Sequence, residues 1–303
     1  MSKIAFLFPG QGAQAVGMCR ELEAELPAVR ALFDRAEAVL GFDLRAICFD
    51  GPAEALEATD VSQPAIFVAS LAALESFKQT HPEVVRDCQG AAGLSLGEYT
   101  ALVFAGALDF DSGLEVVRRR GQAMQAAAVA SPSGMMTALG LDEAKADELC
   151  ARVAPHGRLW KANMLGPGNI VVSGDASALE HAEPIALELG AMKCIRLAVA
   201  GAFHTPLMKP ADEQLAEVLD RVDVRAPRVP VYSNVDASPH DDPAEIRKVL
   251  VSQVLQGVRW EESMRRMLAD GFDAFYEIGP GRVLNGLLKR IDRKTPCTNI
   301  PAR

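Results

Sequence analysis

Apolar residues of this chain form three short runs, each of which stops at a turn residue. The runs cover residues 4–8, 90–94 and 275–278. None of them alternates between apolar and polar positions, and a continuous pattern is typical of strands buried on both faces of a parallel sheet. Stretches with helical periodicity, among them residues 64–77 and 111–128, lie between the runs. This alternation predicts an α/β fold with a mainly parallel sheet.

The middle of the chain has a different order of elements. The pattern predicts strand, helix, strand, strand, helix and strand at residues 135–139, 142–153, 159–165, 170–173, 176–189 and 192–199. This βαββαβ order is ferredoxin-like. Residues 163–168, with two glycines and a proline, are predicted to form the central hairpin. We therefore expect a large α/β domain of residues 1–130 and 200–303, with residues 131–199 as an inserted ferredoxin-like subdomain.

The composition limits the kinds of partner. Hydrophobic residues make up 49% and charged residues 23%, a globular profile. No apolar run approaches the roughly 20 residues that span a membrane, and the first one is too short for a secretory signal. The net charge of −9 argues against nucleic acid. None of the six cysteines is at CxxC spacing, so no zinc site or redox pair is signalled. We expect a cytoplasmic protein without a metal, a membrane contact or a nucleic-acid partner.

Residues 93–97 carry the first sign of chemistry. They read Gly-Leu-Ser-Leu-Gly and match G-x-S-x-G, a sharp strand-to-helix turn that projects the Ser95 hydroxyl clear of the sheet. The backbone N–H of Leu96 would then point towards a developing oxyanion. The N–H of Gln11, in the glycine-rich turn after the first run, can join it if the first two strands are neighbours. The alternatives are that Ser95 only caps the helix and that the turn at Gln11 is a plain connection.

His204 is the best candidate for a base among the five histidines. It follows a predicted strand, in the kind of loop where catalytic groups cluster. The other four, at positions 81, 156, 181 and 240, are expected to be solvated. A purely structural role for His204 is the alternative. The acidic residues between Ser95 and His204 look like caps or turns, so we expect a neutral acceptor to orient the imidazole.

Several motifs occur together in the order of one known family. They are Phe-Pro-Gly-Gln-Gly at 8–12, Gly-Leu-Ser-Leu-Gly-Glu at 93–98, Arg-Arg-Arg-Gly at 118–121 with Met-Gln at 124–125, Gly-Ala-Phe-His at 201–204 and Tyr-Glu-Ile-Gly-Pro-Gly at 276–281. The chain thus resembles, nearly end to end, the malonyl-CoA:acyl carrier protein transacylases of fatty-acid synthesis. The resemblance implies an α/β-hydrolase-like large domain and transfer of malonyl from malonyl-CoA to the phosphopantetheine thiol of acyl carrier protein through a malonyl-serine intermediate.

The same resemblance implies a role for each matching residue. The implied catalytic residues are Ser95, His204 and Gln253, the oxyanion hole is Gln11 and Leu96, and the substrate-binding residues are Arg120, Phe203 and Asn163. Gln253 would orient the histidine through its main-chain carbonyl. Arg120 would hold the free malonyl carboxylate, a task suited to a guanidinium fork. Its alternative is a surface charge in a run of three arginines. The ring of Phe203 would crowd a methyl branch, as in malonyl-selective members.

Two positions depart from the family pattern. Leu94 replaces a common histidine, which we expect to tune activity, and Leu165 replaces a frequent second asparagine.

The resemblance also implies a coenzyme A thioester as substrate, no cofactor and a transient complex with an acidic acyl carrier protein; we expect a monomer. Because this chain is acidic too, docking would need local basic clusters. The candidates are Lys161, Lys193, Arg196, Arg282, Lys289, Arg290, Arg293 and Lys294, for which a solvated surface is the alternative.

Two other functions stay open. A serine hydrolase or thioesterase would release free acid. Against it, only 6% of residues are aromatic, which leaves little aromatic surface for a lipid substrate, and Arg120 would have no role with a neutral ester. A malonyltransferase dedicated to a polyketide or malonate decarboxylase system would share the chemistry and differ in its carrier.

Overall fold

A computed structural model describes residues 2–303. Its strands are β1 (Ile4–Phe8), β2 (Cys88–Gly93), β3 (Ser133–Leu139), β4 (Leu159–Gly166), β5 (Asn169–Asp175), β6 (Lys193–Arg196), β7 (Val231–Tyr232), β8 (Ala274–Gly279) and β9 (Cys297–Pro301). Its α-helices are α1 (Arg20–Glu25), α2 (Pro27–Leu40), α3 (Leu44–Asp50), α4 (Ala53–Glu57), α5 (Thr59–Thr80), α6 (Pro82–Arg86), α7 (Gly97–Phe104), α8 (Phe110–Ala130), α9 (Glu143–Val153), α10 (Ala176–Glu188), α11 (Ala211–Leu219), α12 (Pro243–Gln253), α13 (Trp260–Ala269) and α14 (Val283–Ile291). No helix among these residues is long and apolar enough to cross a bilayer.

The larger sheet is parallel throughout, with strand order β7-β2-β1-β8-β9. Phe6 and Phe8 on the central strand β1 are completely buried, as the continuous apolar run predicted. β1 and β2 are neighbours, and Phe8 pairs with Gly93 at the end of both strands. The turns that follow the two strands therefore leave the sheet at the same carboxyl edge. The condition for Gln11 to approach Ser95 is met.

Helices α5 and α8 pack closely over this sheet because small residues face each other. α5 is buried along most of its length and is rich in alanine and serine. A Cβ at Gly121 of α8 would lie 3.0 Å from the Cα of Asp60, so a larger residue would push the two helices apart. The neighbouring residue on α8 is Arg120, which is 1% exposed. The close packing of α5 against α8 therefore buries the cationic side chain of Arg120.

The second sheet is antiparallel, with strand order β4-β5-β3-β6, which is the ferredoxin-like arrangement that the sequence predicted. The hairpin prediction at residues 163–168 was too long. Asn163 and Met164 pair with β5, and only Pro167 and Gly168 form the turn. The last strand is also shorter than the predicted 192–199. The domain limits after residues 130 and 199 remain a proposal.

Strand β4 is tied to the loop that follows α12. Val258 N–H donates to the carbonyl of Ala162 over 2.8 Å, and Met164 N–H donates to the carbonyl of Val258 over 2.9 Å. A Cβ at Gly257 would lie 2.8 Å from the carbonyl oxygen of Lys161, so the backbones approach each other closely. The second sheet therefore borders the carboxyl edge of the first, and a cavity lies where they meet.

Candidate active site

Ser95 stands on a sharp turn between β2 and α7. Its φ of 49° is in the left-handed region that a residue with a side chain rarely adopts. Glycines on both sides make the turn possible, since a Cβ at Gly93 would lie 1.9 Å from the carbonyl carbon of Gly97. A Cβ at Gly97 would lie 2.0 Å from the carbonyl oxygen of Phe8 on β1. The strained serine predicted from G-x-S-x-G is thus confirmed in its backbone geometry.

This close approach predicts a large effect of Gly93→Ala on stability. Because the added methyl would meet backbone, which cannot rotate away, we expect the free energy of unfolding to fall by about 3 kcal/mol or more. Gly286→Ala is the control, since a Cβ there meets nothing within 4 Å in helix α14. That variant should be about 0.5–1 kcal/mol more stable. Urea unfolding measures both, and equal midpoints for the two variants would contradict the packing argument.

Asn234 holds the turn from behind. Its Oδ1 accepts the backbone N–H of Ser95 over 2.6 Å, and its Nδ2 donates to the carbonyl of Gly93 over 2.8 Å. It is completely buried and follows the two-residue strand β7. The amide thus satisfies two backbone groups that no regular element pairs. The sequence analysis missed Asn234, because so short a strand leaves no periodic signal.

His204 meets Ser95 directly. Its Nε2 lies 2.9 Å from Ser95 Oγ, and its Nδ1 lies 2.8 Å from the carbonyl oxygen of Gln253. A carbonyl only accepts hydrogen bonds, so Nδ1 must carry the proton. In the neutral ring, Nε2 is then the acceptor for the serine hydroxyl. The expected neutral orienting group is therefore a main-chain carbonyl, and its residue is Gln253.

The surroundings of His204 keep its ring neutral. Burial lowers the pKa of His204 to about 4, and the nearby charge of Arg120 acts in the same direction. At neutral pH the imidazole is therefore free to accept a proton. Its φ of 61° places it, like Ser95, in the left-handed region. Two strained residues face each other, an arrangement that is common at functional sites.

Arg120 reaches the same point from α8. Its Nη2 donates to Ser95 Oγ and to Gln253 Oε1, both over 2.9 Å, and its Nη1 donates to Gln63 Oε1 over 2.6 Å. Its Nε is buried and has no partner within residues 2–303. Nε and Nη2 form one edge of the guanidinium, so a carboxylate beside the serine can bind there if it pairs with Nε and replaces one of the two acceptors of Nη2. Burial lowers the pKa of Arg120, but the group remains a cation.

The cavity beside these groups has a volume of about 90 Å³. Its lining consists of Gly10, Gln11, Leu94, Ser95, Leu96, Arg120, Met124, Met135, Asn163, Leu197, Val199, Phe203 and His204. All the site residues predicted from the sequence are in this lining except Gln253, which contacts three of its members. Most of the wall is apolar, and Ser95, His204 and Arg120 meet at one point of it. The cavity therefore suits a small acyl group with one charged terminus.

Gln11 and Leu96 line this cavity, and each has a backbone N–H group without a regular partner in the described chain. Leu96 directly precedes the first residue of α7, and Gln11 follows the parallel neighbour strand β1. Among the hydrogen bonds of residues 2–303, neither N–H has a protein acceptor. Donors of this kind at a helix start stabilise a developing negative oxygen. The arrangement can serve as an oxyanion hole.

Other predicted features are distributed over the surface. His81, His156 and His181 are exposed as expected, whereas His240 is half-buried and lies 2.9 Å from Asp236. Within the arginine run, only Arg120 is buried. Of the basic candidates for docking, Lys161 is engaged by Glu143 and Asp147 at 3.1 and 2.9 Å, which neutralises its local field. The five basic residues from 282 to 294 are exposed and form no ion pair within the described chain.

Besides Asn234, two functional candidates were missed by the sequence analysis. Gln63 fixes one end of the Arg120 guanidinium. Glu98 is 2% exposed, and its Oε2 accepts from Gln253 Nε2 at 2.5 Å and from Asn234 N–H at 3.1 Å. Glu98 had a signal, because it closes the motif at residues 93–98. Gln63 had none, since it lies inside a helix that reads as buried core.

Comparison with known proteins agrees with this geometry. Residues 5–299 match the family described as acyl transferase domain. A malonyl CoA-acyl carrier protein transacylase from Bacillus subtilis (strain 168) is 45% identical over 295 residues, covering 97% of this chain and 92% of that protein. Relatives of the same description are therefore similar over almost the whole chain.

Solved structures extend the similarity to the fold. The acyl-carrier-protein-S-malonyltransferase from Bartonella henselae superposes with a TM-score of 0.95 at 38% identity, covering 98% of this chain and 95% of that chain. A malonyl-transacylase in complex with its type II PKS acyl-carrier protein has a TM-score of 0.93 at 37% identity, covering 99% of this chain and 96% of that chain. The two-sheet architecture is thus shared with enzymes of this kind.

Proposed function

Because this chain belongs to the acyl transferase domain family, we propose that it transfers a malonyl group from malonyl-CoA to the phosphopantetheine thiol of an acyl carrier protein. The observation that carries the proposal is the convergence of Ser95, His204 and Arg120 in one small cavity. A nucleophile paired with a base fits acyl transfer in general. A buried cation at the same point selects an acyl group that ends in a carboxylate.

In the first half-reaction, Ser95 Oγ attacks the thioester carbon of malonyl-CoA. His204 Nε2 takes the hydroxyl proton, and the Gln253 carbonyl stabilises the charged ring through Nδ1–H. The N–H groups of Gln11 and Leu96 bind the oxyanion of the tetrahedral intermediate. When the intermediate collapses, the carbon–sulfur bond breaks and His204 returns the proton to the leaving thiolate. The product is a malonyl ester on Ser95.

In the second half-reaction, the thiol of the carrier takes the place of coenzyme A. His204 removes the thiol proton, and the thiolate attacks the carbonyl carbon of the malonyl-serine ester. A carbon–sulfur bond forms, the bond from that carbon to Ser95 Oγ breaks, and His204 returns the proton to Oγ. Every step uses groups of this chain and the two thiols, so the proposal includes no cofactor. The related structure that holds an acyl-carrier protein supports a carrier as partner. We propose a housekeeping carrier of fatty-acid synthesis, with a polyketide carrier as the second candidate because of that complex.

Arg120 would hold the free carboxylate during both half-reactions. The edge of its guanidinium formed by Nε and Nη2 is next to Ser95 Oγ, where the other end of a malonyl group is attached, and Nε has no partner within residues 2–303. Phe203 and the two methionines of the lining leave an apolar wall beside the central carbon. We propose that the ring of Phe203 excludes a methyl branch at that carbon and that Asn163 contacts the bound substrate.

Mass spectrometry of the intact protein tests the proposal. The protein is mixed with malonyl-, methylmalonyl- and acetyl-CoA in competition, without any thiol acceptor. We expect one lasting malonyl adduct that maps to Ser95 and disappears when carrier thiol is added. Rapid release of free malonate without an acceptor would instead indicate a hydrolase. A preference for acetyl-CoA would contradict the role of Arg120.

Docking of an acidic carrier should depend on the basic end of α14. Ile291 and Arg290 lie against Gly166 of β4, at 3.5 and 4.0 Å from a Cβ built there. Gly166 is three residues along β4 from Asn163 in the cavity lining, a distance of about 10 Å. Arg290 therefore lies near the strand that contributes Asn163 to the cavity lining, with Lys289 beside it on α14, and both are exposed.

We expect the variant Lys289→Glu/Arg290→Glu to raise the KM for the carrier about tenfold or more at low salt, because opposite charges steer the encounter. The KM for malonyl-CoA should change much less. The control is Lys78→Glu/Arg86→Glu, an equal charge change on exposed residues before β2, at the opposite edge of the sheet. Steady-state kinetics with each substrate varied measures the effect. An equal rise of both KM values would contradict the docking surface.

A further inference from the structure

Glu98 is a buried carboxylate that does not line the cavity. It is in the first turn of α7, three residues after the nucleophile, and is 2% exposed. Its Oε2 accepts two hydrogen bonds, from the side-chain amide of Gln253 and from the backbone N–H of Asn234. A buried charge is costly unless hydrogen bonds compensate it, so a carboxylate in such a place needs an explanation.

Both partners of Glu98 contact the reacting groups. Asn234 holds the backbone of Ser95 and Gly93 through its side chain. Gln253 holds His204 through its carbonyl, and its Nε2 also donates to the carbonyl of Ser95 over 3.1 Å. One carboxylate oxygen of Glu98 therefore accepts hydrogen bonds from both Asn234, which holds the nucleophile, and Gln253, which holds the base.

The charge of Glu98 also fixes which way the Gln253 amide points. The two ends of an amide have the same shape, so only hydrogen-bond partners distinguish them. An ionised carboxylate accepts and cannot donate, which requires Nε2 to face Glu98. Oε1 then faces Arg120, where it accepts from Nη2 over 2.9 Å. If the amide were reversed, its NH₂ would face the guanidinium, and two donors would meet.

We propose that Glu98 is a positioning residue whose ionised carboxylate orders Gln253 and Asn234 and thereby keeps Ser95, His204 and Arg120 in register. This inference rests on the proposed function. It gives the site an acidic residue. Glu98 lies on α7, three residues after the nucleophile, and does not contact His204. Protonation of Glu98 would remove the charge that strengthens the bonds from Gln253 Nε2 and Asn234 N–H, and would add a donor where an acceptor is needed.

Ionisation of Glu98 falls in the range of ordinary assays. Burial raises the pKa of Glu98 to about 7, against the opposing effects of the Gln253 and Asn234 hydrogen bonds and of the Arg120 charge. The charged or titratable groups that act on it are Arg120 from α8 and Tyr99 on its own helix. His204 does not contact Glu98 and is joined to it through Gln253. Below about pH 7 the ordering carboxylate is lost, while the pKa of His204 is about 4.

The test is the pH dependence of malonyl-Ser95 formation in a single turnover. In the wild type, we expect the second-order rate constant to fall as the pH drops below about 7, the pH at which Glu98 takes up a proton. Glu98→Gln should be about 10- to 100-fold slower at pH 8, the range typical of an outer partner that orients a reacting group. Its decline at low pH should move to about 4, where His204 becomes charged. Glu98→Asp keeps the charge and should keep the decline near pH 7.

Glu277→Gln is the matched control. Glu277 is also completely buried, its pKa is also raised by burial, and it accepts backbone N–H groups of Leu284 and Asn285 at the start of α14. Neutralising it should lower the melting temperature without changing the pH profile. A merely structural role for Glu98 would give Glu98→Gln the same behaviour as this control.

The outcomes separate the two proposals. A wild type that forms no malonyl adduct would refute the proposed function. A wild type that forms the adduct with no decline near pH 7, or a Glu98→Gln variant that keeps this decline, would overturn the role of Glu98 alone. The wild-type profile needs no variant, so the inference remains testable even if Glu98→Gln does not fold.

Discussion

Replacement of Ser95 by alanine should lower malonyl transfer at least about 10⁴-fold, because no other group is placed to form the acyl intermediate. Among residues 2–303, the Ser95 hydroxyl oxygen is the one atom that lies within hydrogen-bond distance of both His204 Nε2 and Arg120 Nη2, at 2.9 Å from each. Alanine can follow the same backbone path, so the fold should persist. Steady-state transfer and the intact mass after mixing with malonyl-CoA measure the effect. No adduct should form.

Ser70→Ala is the matched control for this experiment. The Ser70 hydroxyl is buried in α5 and has no hydrogen-bond partner within residues 2–303, so its removal should leave the rate within about twofold and the stability unchanged or higher. An adduct that survives in Ser95→Ala, on any residue, would refute Ser95 as the nucleophile.

Replacement of Arg120 by alanine should change the preferred substrate. Loss of one member of a buried ion pair costs about 3–5 kcal/mol, which corresponds to a decrease of about 150- to 4,000-fold in kcat/KM for malonyl-CoA. Acetyl-CoA has no carboxylate to be left unpaired, and removal of the cation leaves a neutral, wider cavity. We therefore expect acetyl transfer to increase. Competition between the two thioesters, read as the ratio of adducts on Ser95, measures the change.

Arg119→Ala controls for the loss of an arginine from α8. Arg119 donates a hydrogen bond to Gln122 on the same helix, over 3.3 Å, and does not line the cavity. This variant should keep the wild-type preference. If Arg120→Ala transfers malonyl at the wild-type rate and acetyl stays negligible, the carboxylate is bound elsewhere.

Much of the architecture could be predicted because burial leaves a strong imprint on the sequence. β1 is a continuous apolar run and β2 consists mostly of small residues, since a central parallel strand is covered on both faces, whereas β8 includes the buried Glu277. The βαββαβ unit was readable from the order of its elements. β7 and β9 left no such imprint. β7 has two residues, and β9 at the sheet edge reads Cys-Thr-Asn-Ile-Pro, which carries no apolar period.

The site was predictable where chemistry needs a local motif. Ser95 and its glycines are adjacent in sequence because one turn must hold them, and His204 was conspicuous in its loop. Gln253 could be assigned only through the family resemblance, since a main-chain carbonyl is available at every residue. Asn234 acts on a turn 139 positions earlier in the chain, and such long-range support has no sequence signature. The supporting residues had to come from the structure.

The φ angles of 49° at Ser95 and 61° at His204 lower the thermal stability of this protein at two positions whose side chains its activity requires. A left-handed backbone at a residue with a side chain costs about 1–2 kcal/mol, and glycine largely avoids that cost. Engineering that ranks library members by melting temperature alone would therefore favour glycine at position 95 and enrich inactive clones. A thermostability screen of this enzyme must therefore also measure the activity of each variant, or leave position 95 unchanged.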